Sequence, residues 1–223
     1  TTIQWATLVT MLMVSASATS AAIIQDDSDY VAFEAEIGTI DNSGGGSSTA
    51  GWVVDGATVH PANPSGGSFV VNWDRQTSPP PNDTVTFAIN LTNDGAYLPW
   101  FRVAYSDEDT TQGANFHDSW YFQSGTNGAN WTTDNPNSVS TSEWRWYDGG
   151  ADVTFSSTGS VSWAVSSRED WLIMDRIVLI SEDNTNNVDA AYLDGLANSI
   201  PEPGTLALLG LGGLAALARR RRA

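Results

Sequence analysis

The chain has 223 residues and a formal charge of −17, from 26 acidic side chains against nine basic ones, all arginine. Without Glu202 and the four arginines of the last 23 residues, the remainder carries 25 acids and 5 arginines, or −20. That balance excludes electrostatic nucleic-acid binding by the body of the protein, which needs a positive footprint for phosphates. The absence of cysteine removes disulfides, thiolate metal sites and a cysteine nucleophile together.

The first 22 residues read as a secretory signal peptide: "WATLVTMLMVSASATSAA" is an apolar run ending in small residues. Cleavage is expected after Ala18 or Ala22. The missing Met and basic leader point to a start truncated in this sequence, and a buried helix is the alternative.

Residues 26–182 read as one all-β domain. Strict alternation marks "TVTFAINL", with Val85, Phe87, Ile89 and Leu91 on one face, and "GSVSWAV", with Val161, Trp163 and Val165. Further strands are expected at "YVAFEAEI", "GWVVDGA", "GSFVVNW", "WFRVAY", "SWYFQS", "ADVTF" and "WLIMDRIVLIS". Gly, Pro, Asn and Asp clusters separate them. Nine or ten strands joined by polar turns imply an antiparallel β-sandwich or jelly roll.

Two stretches carry more than strand pattern. In "YVAFEAEIG", Glu34 and Glu36 lie two apart, so both carboxylates are expected on one face of a strand. In "SSREDWLIMDRIVLI", Asp175 sits among Ile173, Met174, Ile177 and Val178, which is costly without compensation. Two readings stay open from the residues: solvated glutamates with Asp175 paired to Arg168 or Arg176, or three carboxylates sharing a hard cation.

The region 115–148 is rich in aromatics, namely Trp120, Tyr121, Trp131, Trp144, Trp146 and Tyr147. They interleave with Asn115, Asp118, Asn130 and Asp148, a composition suited to stacking on sugars and bonding their hydroxyls. Alternation puts Trp144 and Trp146 on one side and Arg145 on the other, and many of these rings are expected to fill the core. Trp131, amid "TNGAN" and "TTDNPN", is expected in a polar loop as an exposed platform, with Trp120 and Tyr121 next and Asp118 and Asn130 as hydroxyl partners. Asp107, Asp109, Thr111 and Asp118 approach EF-hand spacing without the required Gly and Glu. His60 and His117 have no metal-ligand spacing.

Residues 183–200 are expected to form a linker. From Thr205 to Ala218 there are 14 uncharged residues, about 21 Å of helix against a hydrocarbon layer of ~30 Å. Arg219, Arg220, Arg221 and Arg222 then hold that end in the cytoplasm, so a membrane helix is expected over this stretch.

Pro201-Glu202-Pro203, a Gly/Leu/Ala segment and a terminal arginine cluster together resemble a PEP-CTERM sorting signal. The resemblance implies recognition of residues 201–223 by an exosortase-type membrane protease, inner-membrane tethering before processing, and export to the cell surface or biofilm matrix of a Gram-negative bacterium. The body resembles carbohydrate-binding modules of families 6 and 35 and related galactose-binding-like sandwiches. The resemblance rests on Phe33-Glu34-Ala35-Glu36, Gly66-Gly67-Ser68-Phe69-Val70, "LPWFRVAY", and Arg168-Glu169 through Asp175, Ile177 and Leu179. It implies a structural Ca²⁺ held by Glu34, Glu36 and Asp175, with exopolysaccharide as partner and no catalysis. A structural or adhesive matrix protein without specific sugar binding, and a glycan-active enzyme built on paired carboxylates, are the competing readings.

Overall fold

The computed structural model describes residues 23–24, 29–42, 51–56, 64, 68–72, 83–105, 118–126, 130–136, 139 and 143–197. The expected signal peptide, the sorting tail, both histidines and all of the EF-hand-like set but Asp118 lie outside these residues.

Two antiparallel sheets face each other, as the alternation implied. In the first, β6 (Thr84–Leu91) lies between β12 (Gly159–Ser167) and the short strands β1 (Ile23–Ile24) and β3 (Thr39–Asp41). It continues from β12 through β8 (Trp120–Thr126) to β9 (Asn130–Asp134). In the second, β13 (Leu172–Ser181) is central. On one side it pairs with β2 (Tyr30–Glu34) and with β5 (Ser68–Asn72), which leads to β4 (Trp52–Gly56). On the other it pairs with β7 (Gly95–Tyr105), beyond which come β10 (Arg145–Asp148) and β11 (Val153–Phe155). β11 also runs parallel to β8 and so joins the two sheets.

All nine expected strands form, and β1, β3, β9 and β10 are short additions. β13 is apolar on both sides because both sides are covered. Leu172, Met174, Ile177 and Leu179 join the core between the sheets. Ile173, Val178 and Ile180 pack outward, against Phe69 and Val71 at one end and Leu193 at the other. Trp163 anchors the central core with no exposed surface, stacked on Phe101 at 6.2 Å and tilted against Phe87 at 6.0 Å. Its indole N–H donates to Gln123 O at 2.8 Å, so the burial leaves no orphaned donor.

The stretch expected to be a linker from residue 183 is folded as far as residue 197. Asp189 caps the helix α1 (Ala190–Ala197) by accepting a hydrogen bond from Tyr192 N at 2.9 Å. The helix sets Leu193, fully buried, against Val178 and Ile180 on the outer face of the second sheet.

The candidate sugar-binding and ion sites

The chain leaves β2 at Glu34 and enters a 3₁₀ turn, Ala35–Ile37. Glu36 is therefore in the turn rather than on the strand face shared with Glu34. Gly38 closes the turn against the first sheet: a Cβ there would come within 2.3 Å of Val85 Cγ1. Glu34 is buried and its Oε1 accepts from Arg176 Nε at 2.8 Å, with Arg176 Nη2 also at 2.8 Å. The ladder register slips between Met174 and Arg176, so Asp175 occupies a β-bulge. There it is fully buried and pairs with the Arg102 guanidinium, a partner the sequence reading did not name.

Glu36 is the unbalanced member. Burial, and then the charges of Glu34 and Asp175, push its carboxyl up to about 8 against a backbone hydrogen bond that lowers it. Its Oε2 is enclosed with no hydrogen-bond partner. The three carboxylates thus sense one another, and an all-oxygen donor set with an orphaned oxygen suits a hard cation. Arg176 and Arg102 meet the charge of the other two, however, and among the described residues no group of three such side chains is arranged to hold a metal. A cation at this place has to displace guanidinium groups.

The sugar candidates separate by burial. Trp120 is wholly buried, edge-on to Phe101 at 5.3 Å and to Tyr147 at 6.2 Å, and Tyr121 is 3% exposed. Neither has a free face for a pyranose, so both are corrected to packing residues. Asp118 is corrected likewise, being 2% exposed in a buried acid pair with Glu169. The Glu169 carboxylate accepts from Asp118 N at 2.9 Å and Ser119 N at 3.1 Å, and burial, then Glu169, raises the Asp118 pKa. Trp131 and Asn130 lie on β9 rather than in a loop, cross-strand from Gln123 and Ser124. Trp131 is half-buried there and Asn130 exposed.

A second aromatic face lies on the outside of the second sheet. Glu34, Arg176, Arg102 and Trp146 form one row across β2, β13, β7 and β10. Trp144 precedes Trp146 by two residues, and both are half-buried. Arg102 Cζ lies 5.6 Å from the Trp144 ring, a cation–π distance, and Phe69 packs at 6.0 Å on the same indole. The enclosed Nε1 groups of Trp144 and Trp100 have no acceptor, whereas Trp146 Nε1 donates to Asp194 Oδ1 at 2.8 Å. The sequence signal for this face was the i, i+2 spacing of Trp144 and Trp146. The placement of Arg102 beside them depends on the long-range pairing of β7 and β10.

Asp134, at the end of β9, was not singled out from sequence. It is 9% exposed, its Oδ2 has no partner, and burial, then Asp148, pushes its carboxyl up to about 7.

No curated protein matches the chain in sequence. The fold is similar to a Podospora anserina GH26-CBM35 β-(1,4)-mannanase, at 16% identity and TM-score 0.49, over 77% of this chain and 34% of that one. The chain thus spans about a third of that enzyme. It is also similar to the C-terminal CBM6 of a Zobellia galactanivorans laminarinase, at 15% identity and TM-score 0.45, over 69% and 100% of the two chains. A Clostridium thermocellum family 35 carbohydrate binding module is similar at 17% identity and TM-score 0.43, over 68% and 98%. Residues 199–222 match the PEP-CTERM protein-sorting motif, so the sorting signal expected from Pro201 to Arg222 is present at the C-terminus of this β-sandwich chain.

Proposed function

We propose that this chain is an exported, non-catalytic surface or matrix protein that binds polysaccharide through the outer face of its second sheet. The observation that carries the reading is the pair Trp144 and Trp146 at the start of β10, about 7 Å apart in extended chain, with Arg102, cross-strand from Trp146, placing its Cζ 5.6 Å from the Trp144 ring. Two half-buried indoles two residues apart suit stacking on successive sugar rings. Trp131 is a single half-buried indole with Asn130 beside it, which supports a lesser contact.

The sorting motif supports delivery by an exosortase-type protease, with the tail held at the inner membrane before processing. Replacing Arg219 through Arg222 by Ser should alter retention in a host that has such a protease. A structural Ca²⁺ belongs to the same proposal, with Glu34, Glu36 and Asp175 as its ligands. The orphaned Glu36 Oε2 supports it, and the ion would supply a cross-link between β2, its turn and β13. A glycan array probed with the purified full chain tests the reading. Binding confined to one glycan class sustains it, and an array blank at all glycans leaves a structural matrix role instead.

A further inference from the structure

Helix α1 covers part of the aromatic face just described. Leu193 is fully buried in one cluster with Val178 and Ile180, against which Tyr30, Trp100 and Trp146 pack. One residue on, Asp194 Oδ1 accepts the Trp146 indole hydrogen at 2.8 Å and lies 4.0 Å from Arg102 Nε. The carboxylate thus supplies an acceptor at the point where two strands present a donor and a guanidinium. The cover is small: α1 has eight residues, and Asp194 itself is 54% exposed.

Charge says what would replace it. Beneath the helix, the guanidinium groups of Arg102 and Arg176 face the carboxylates of Asp175 and Glu34. With Asp194 withdrawn the row is balanced, two against two. The formal −20 of residues 1–200 repels polyanions at long range. What the opened face lacks is hydrogen-bond acceptors for Trp100 and Trp146, which pack in one cluster with α1, because an indole N–H can only donate. Oxygen-rich, uncharged rings meet both conditions.

We propose that α1 is a removable self-ligand, and that the face it closes takes a neutral polysaccharide in competition with Asp194 and Leu193. This rests on reading the outer face as the polysaccharide platform. It adds the ligand's charge class and a coupling between the platform and the segment that leads into the sorting motif. From Ala197 to Pro201 there are three intervening residues, which reach at most about 11 Å. Glu182 N bonds Ala96 O and Asn184 N bonds Ser181 O, so releasing α1 frees the chain beyond Asn184, and a bound glycan would lengthen the tether between the sandwich and the sorting motif.

Affinity electrophoresis of the full chain in mannan, laminarin and dextran, with alginate as the charged control, tests this. Leu193→Ala and Asp194→Ala should each bind one neutral glycan more tightly than the wild type. If the closed form occupies nine molecules in ten, the gain is about tenfold. Hydrogen exchange of residues 190–197 should rise when that glycan is added to the wild-type chain, a readout independent of whether either variant folds fully. Neutral-glycan binding with unchanged affinity in both variants and unchanged exchange in α1 overturns the self-ligand and leaves the platform standing. Tightest binding to alginate overturns the neutral class. No binding by the wild type or either variant overturns the platform and the self-ligand together.

Discussion

Glu34 and Arg176 sit opposite each other across the β2–β13 ladder, and neither is more than 7% exposed at its side chain. Both Nε and Nη2 of Arg176 are 2.8 Å from Glu34 Oε1. A buried pair of this kind repays its desolvation only while both members are present. Arg176→Met should destabilise the fold by about 3–5 kcal/mol in urea denaturation, because buried Glu34 loses its guanidinium counter-charge. Added Ca²⁺ should recover part of that loss if the carboxylates bind the ion. A variant as stable as the wild type would mean that Glu34 finds water or another partner.

The calcium proposal has its own check. An ion that binds the folded state alone adds about 2.7 kcal/mol at a hundredfold excess over its Kd. The wild-type chain should melt several degrees lower in chelator than in Ca²⁺, and Asp175→Ala should abolish the difference. Identical melting curves with and without chelator would leave Arg102 and Arg176, rather than an ion, as the counter-charges of this acidic cluster.

Asp134 makes the fold sensitive to neutral pH. Its folded pKa of about 7 lies above the ordinary 3.8, first through burial and then through Asp148. Folding therefore favours the protonated acid. The contribution is fully present below about 4 and is lost as pH rises through about 7. Asp134→Asn keeps the shape without the titration, so it should raise the melting temperature at pH 8 and leave it little changed at pH 4. Parallel pH profiles for the two proteins would place the charge of Asp134 in contact with solvent.

Burial also separates the tryptophans by stability. Trp120→Ala should cost about 3–5 kcal/mol, as for other fully buried large side chains, because its ring meets Phe101 and Tyr147 edge-on. Trp131→Ala, on the edge strand β9, should cost far less. Equal losses in thermal unfolding would contradict this division.

The strands were legible where period two survives, as in β6 and β12, and where an unbroken apolar run marked β13 as covered on both sides. Period two could not say which face of β8 was open, and Trp120, Tyr121 and Asp118 all proved buried. The strand character of β9 was hidden by its Asn and Gly neighbours, although Trp131, Thr132 and Thr133 favour strands. The spacing of Val188, Tyr192 and Leu196 was helical, and Asp189 offered a cap. Eight residues with Gly195 inside are nonetheless too few to form a helix without the sheet they pack on. The ion pair of Asp175 with Arg102 joins residues 73 apart through the β7–β13 register, which no local pattern encodes.

The proposed polysaccharide platform centres on Trp144 and Trp146. The most direct measurement compares glycan affinity of the wild type, Trp144→Ala and Trp131→Ala on the glycan that the array selects. Removing an indole that buries a sugar ring should cost about 1–3 kcal/mol, or roughly 5- to 150-fold in Kd. That loss is expected for Trp144→Ala, with Trp131→Ala close to the wild type. The reverse pattern, with Trp144→Ala folded and binding normally while Trp131→Ala fails, would contradict it and move the site to β9.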